Sequence, residues 1–208
     1  MLSVALTGLF SGLALIVAIG AQNAYVLRTG LSARRRVVLA VCLVCSLSDA
    51  VLICAGVGGI GVLTHVAPWV LTLLRVAALG FLLVYGVLSV RRALHEDGGL
   101  QAQEAAAPGL GAALATVLAF TWLNPHVYLD TVLFLGSLGN SHGELRWFFA
   151  LGAILASWIW FFALGFGARG LRPLFAKAWT WRVLDAAIAL IMFVLAIKLV
   201  LELVAEWV

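Results

Sequence analysis

Six apolar stretches, at roughly 3–27, 37–63, 67–90, 110–138, 147–168 and 183–205, dominate this chain and leave almost nothing with which to build a soluble core. A helix needs about 20 apolar residues to cross the hydrocarbon of a bilayer, and each stretch is long enough. Inside lipid the backbone must satisfy its own hydrogen bonds, which for segments of this length means helix. The expected fold is all-α and integral to the membrane, with six transmembrane helices in one transporter domain over 1–208. Composition agrees: 64% of residues are apolar and 11% charged, where soluble domains carry about 45–50% and about 25%.

The basic residues supply an orientation. Arg28, Arg34, Arg35 and Arg36 fall in one connection, Arg91 and Arg92 open another, and Arg169, Arg172, Lys177 and Arg182 fill a third. The alternate connections, 64–66 and 139–146, hold only Arg146. By the positive-inside rule the basic connections face the cytoplasm, and six spans then place both termini outside. A re-entrant first stretch would instead put the N-terminus inside. The net charge of +4 is thus read as topology, with no nucleic-acid partner. The first residues lack the positive n-region of a signal peptide, so the first stretch is expected to be a retained helix.

Near the midpoint lies the one linker, about 93–109, with Gly98-Gly99, three acids and an alanine run. It separates a first three-span unit (about 1–92) from a second (about 110–208). Gly20-Ala21-Gln22-Asn23 in span one and Asn124-Pro125-His126 in span four occupy matching places in the two units. Three-span halves insert in opposite senses, so the expectation is an inverted-topology repeat with helices 1 and 4 interrupted. Pro125 lacks an N–H and turns Asn124 away from helical geometry, while Gly20 weakens helix one beside Gln22 and Asn23. Backbone freed at that depth must be satisfied by neighbours or line a wet cavity. A structural kink explains either break alone; two matched breaks with amide side chains point to a binding site.

Asp49 and Asp130 sit inside spans two and four. Carboxylates there are costly, and normally face a partner or a cavity. One reading is an ion pair of Asp49 with Arg75; the other is that one or both bind a cation or a proton. His126 titrates in a range suited to proton coupling, though a lone imidazole is commonly a satisfied polar group. Lys198 is expected to snorkel to the outer surface.

On span two, Cys42, Cys45, Ser46, Asp49, Ile53 and Gly56 share one helical face, a small and polar stripe suited to the bundle interior. The Cys42–Cys45 pair raises two competing readings, a membrane thiol-redox carrier and a divalent-metal exporter. Neither has a second CxxC or a histidine cluster behind it, so no metal site and no cofactor are expected. Gly8-x-x-x-Gly12 is a helix-packing pattern. No phosphate-cradling glycine loop with a following lysine is present, which removes an ATP-driven motor.

Gly20-Ala21-Gln22-Asn23-Ala24, Ser48-Asp49, Thr121 to Asp130 and Ala196-Ile197-Lys198-Leu199 resemble the signature blocks of the lysine/arginine exporter family (LysE/ArgO) nearly end to end. One departure is Ala21, where that family usually has proline, which leaves the sharpness of the first break to Gly20. The resemblance implies a secondary-active exporter of L-lysine, L-arginine or both, multi-pass in a bacterial inner membrane, and not an enzyme. It places the family's membrane aspartates at Asp49 and Asp130. On this reading the carboxylates attract a cationic group, and the half-helix N-termini hold the substrate carboxylate. Gln22, Asn23 and Asn124 orient the ligand, and Asp49, Asp130 or His126 carries a proton in antiport. A homodimer is the expected assembly for so small a bundle.

Overall fold

The computed structural model describes residues 1–17, 20–59, 68–95, 107–124 and 127–205, and every regular element among them is helical. The apolar run Leu2–Ile16 forms α1, and a second helix, α2 (Ala21–Ser32), starts after Gly20, whose extended backbone (φ −131°, ψ 172°) caps it. The two helices meet at an 83° bend. α3 (Arg35–Val57) is continuous and closes on Gly58-Gly59; Gly59 adopts φ +90°, which favours a residue without Cβ. α4 (Pro68–His95) opens on proline, which lacks only an N–H that has no helical partner there.

α5 (Leu110–Trp122) stops before Asn124. The chain then re-enters helix as a π-helical segment, Tyr128–Leu135, which runs into α6 (Gly136–Asn140). α7 (Arg146–Gly167) follows, and two 3₁₀ turns lead into α8 (Ala178–Ala205).

Both expected interruptions are therefore present as helix ends, although Pro125, His126 and residues 96–106 of the expected linker lie outside the described residues. Among the described residues four helical stretches are long and apolar enough to cross a membrane: Arg35–Val57, Arg75–Leu94, Gly143–Leu171 and Ala178–Leu201. Counted as one broken span, the bent pair α1 and α2 brings the number to five, and Leu110–Trp122 is apolar but short. The first stretch also differs from expectation at its end, since helix continues to Ser32 and takes in Arg28.

Close backbone contact organises the centre. A Cβ added at Gly8 would fall on the Phe149 carbonyl, and one at Gly152 on the Ala5 carbonyl, so α1 and α7 pack with nothing between them. α3 lies against α7 and the π-helical segment, where Gly56 touches the Val132 backbone and Gly136 touches Gly56. All six residues of the small and polar stripe on α3 are buried. α4 and α8 pack mainly on each other. About 22% of the α4 span and 33% of the α8 span is buried, against 56% for α3, so this pair forms the outer layer.

The three basic segments come together at one end of the bundle. Arg172 Nε donates to the Leu31 carbonyl at 3.1 Å, and Arg28 and Arg92 both reach Asp185 on α8. Convergence on one face is what a shared cytoplasmic side requires.

Candidate functional site

A cleft of about 280 Å³ lies at the two breaks, near the lower end of the roughly 300–1,000 Å³ range of small-molecule sites. Gly20, Gln22 and Asn23 line it from the first break, Asp49 from α3, Asn124 and Asp130 from the second break, and Lys198 from α8. Sequence separated these residues by as much as 178 positions; the bend and the helix ends bring them to one place.

The first break is held by side chains. Asn23 Nδ2 donates to the Ile16 carbonyl at 2.6 Å, satisfying an acceptor at the end of α1. Trp160 Nε1 on α7 donates to Asn23 Oδ1 at 3.1 Å and fixes the amide. With Gly20 as cap, the first turn of α2 presents Ala21, Gln22 and Asn23 to the cleft, at the positive end of the helix dipole. Gln22 Nε2 is buried with no hydrogen-bond acceptor among the described residues. Ala21, where the exporter family usually has proline, follows Gly20, whose backbone is extended at the bend.

The second break is tied to α3. Tyr128 Oη donates to the Trp122 carbonyl at 2.7 Å, and Trp122 Nε1 donates to Ser48 Oγ at 3.1 Å. Ser48 precedes Asp49, so the end of α5 is fixed beside the carboxylate. Asp49 is 6% exposed, and its Oδ2 accepts from Ser157 Oγ on α7 at 2.7 Å. Asp130 lies in the first turn of the π-helical segment and is exposed on the cleft wall. Such wide turns are common at functional sites because they re-aim side chains. Lys198, expected at the outer surface, lines the same cleft.

The thiols lie behind the cleft wall, Cys45 beside Gln22 and Asp49. Cys42 Sγ donates to the Phe161 carbonyl on α7 at 3.2 Å, and Cys42 and Cys45 are both fully buried. Among the described residues no group of three or more His, Cys, Asp or Glu is placed to hold a metal ion.

Sequence reading missed one constellation. Asp185 on α8 is fully buried, 3.1 Å from Arg92 Nε and 3.3 Å from Arg28 Nη2. Arg28 lies over the Trp181 ring and Arg92 over Tyr85. The signal was an acid just inside the last apolar stretch, matched by bases that had been assigned to loops. Along α2 the order is cleft, then Tyr25, then Arg28; Tyr25 packs with Tyr85 and Phe120 at centroid separations of 6.0 and 5.7 Å, and Phe81 lies 6.1 and 4.8 Å from the same two rings. A second cavity of about 190 Å³ lies beyond those rings, beside Arg28 and Arg92.

Residues 13–203 match the family described as LysE type translocator. The chain is 44% identical over 181 residues to a protein of Mycobacterium tuberculosis (strain ATCC 25618 / H37Rv) named "Putative amino-acid transporter", covering 87% of this chain and 89% of that one. It is 41% identical to the arginine exporter protein ArgO of Enterobacter sp. (strain 638), covering 97% and 95%. The ArgO of Salmonella schwarzengrund is 41% identical over 99% of this chain and 97% of its own. No solved structure gives a significant match.

Proposed function

The chain belongs to the LysE type translocator family, and from that premise we propose that it exports L-arginine, L-lysine or both from the bacterial cytoplasm by proton antiport. The observation that carries this reading is the meeting of both helix breaks and two intramembrane carboxylates, Asp49 and Asp130, on one cleft. Relatives named arginine exporters along nearly the whole chain support the substrate class.

In this account the protein lies in the inner membrane with six spans, the fourth built from α5 with the π-helical segment and α6. Its halves are inverted repeats. Asp49 or Asp130 takes a cationic group of the substrate, and the N-terminus of α2 holds the carboxylate through its free N–H groups. Gln22 and Asn124 donate orienting hydrogen bonds, while Asn23 keeps the break in shape. Moving a net +1 substrate outward against an inside-negative potential costs about 2.3 kcal/mol per 100 mV. Proton entry offsets this. A carboxylate protonated on the outer side loosens its hold on the cation and releases the amino acid. It returns with the proton as the site is exposed to the two sides in turn, with His126 beside the break as a further carrier. The functional unit is a homodimer.

Purified protein in liposomes tests the coupling. Acidifying the side that corresponds to the cell exterior should accelerate net arginine export. Transport indifferent to that pH step would count against antiport.

A further inference from the structure

Among the described residues, Lys198 is the one cationic side chain lining a cleft that also holds Asp49 and Asp130. A basic amino acid carries one anionic and two cationic groups, the carboxylate, the α-ammonium and the side chain. The cleft carries the opposite set, one cation and two anions. We propose that Lys198 is the carboxylate-binding residue of the site, so that the three ionic groups of the substrate meet three side chains of opposite charge.

This inference rests on basic amino-acid export being the function. Its physical basis is threefold. With Asp49 and Asp130 ionised, Lys198 sets the net charge of the side chains lining the cleft at −1, the complement of a +1 substrate. The first turn of α2 borders the same cleft, so the Lys198 ammonium and the α2 N–H groups offer donors to one carboxylate. Lys198 also comes from α8, in the outer α4–α8 layer, whereas the acids come from α3 and the π-helical segment. A ligand held at both ends therefore bridges the outer layer and the centre, and a molecule lacking either charge does not.

The test uses the full chain in liposomes, with counterflow of labelled L-arginine and competition by agmatine, which is arginine without its carboxylate. Wild type should prefer arginine. Lys198→Gln should weaken arginine by roughly ten- to a hundredfold, the effect of losing a charged hydrogen-bonded partner, while agmatine competes as well as before or better. Lys198→Arg should restore the arginine preference, which a merely structural role at this exposed position would not demand. An equal loss for arginine and agmatine in Lys198→Gln, or no loss for arginine, would overturn the assignment alone. Absence of wild-type counterflow for both arginine and lysine would overturn the function, and the assignment with it.

Discussion

Asn23 donates its side-chain amide to the carbonyl of Ile16, seven residues back across the first break, at 2.6 Å. A helix that ends inside a membrane leaves carbonyls that no water in the hydrocarbon can satisfy. Here one side chain meets that need and also forms part of the cleft wall. Trp160 then holds the amide from the other side. The wall of the cleft and the fixing of the bend are one structure, so the shape of the site depends on a capping interaction.

Asn23→Ala should therefore lower stability by about 1–3 kcal/mol, the usual cost of orphaning a buried polar group, and should reduce export as well. Trp160→Phe keeps an aromatic ring but removes the N–H with the pyrrole part of the indole, and should cost about 1–3 kcal/mol with a smaller effect on export. Thermal unfolding in detergent, with export measured alongside, checks both the size and the order of these effects.

Asp185 on α8 ties to α4 through Arg92 and joins the outer layer to α2 through Arg28. Removing one member of a buried ion cluster leaves uncompensated charge and typically costs about 3–5 kcal/mol. Asp185→Asn should sharply reduce the yield of folded protein, and adding Arg92→Gln should recover part of it. Size-exclusion profiles of the single and double variants in detergent read this directly. Equal yield for Asp185→Asn and wild type would mean the cluster does not hold the layer.

Gly152 lies where a Cβ would fall on the Ala5 carbonyl, whereas nothing lies within 4 Å of a Cβ at Gly111. Gly152→Ala should push α7 off α1 and cost about 1–3 kcal/mol or more, as overpacking does. Gly111→Ala should be neutral or stabilising by up to about 1 kcal/mol. Melting temperatures of the two variants should move in opposite directions or differ by several degrees.

Cys42 and Cys45 are fully buried packing residues of α3, Cys42 bonded to α7. Cys42→Ala with Cys45→Ala should leave export of arginine in place, after correction for the amount of protein in the membrane. Loss of export from protein that inserts normally would revive thiol chemistry.

Much of this was legible in the sequence because membrane helices obey few rules. Gly20 beside Gln22-Asn23 marked a break, since an apolar run that turns polar at mid-depth must do something with its backbone. The face from Cys42 to Gly56 was read as interior from spacing alone, and it is. Arg28, Asp185 and Lys198 were not legible. Flank position argued that Arg28 belonged to a loop and that Lys198 snorkelled to the outer surface, but helix continues through Arg28 because Asp185 and Trp181 receive it. Lys198 faces the breaks because of how α8 is rotated against the centre, and rotation about a nearly uniformly apolar helix leaves almost no trace in its sequence. The roles of His126 and Pro125 rest on their position after Asn124.

The most direct test of the central claim is efflux of labelled arginine and lysine from dipeptide-fed bacteria lacking their own exporters, comparing wild type with Asp49→Asn and Asp130→Asn. Wild type should export at least one of the two amino acids, and both variants should insert normally and fail to export. Wild-type protein that is in the membrane yet exports neither would contradict the assigned function.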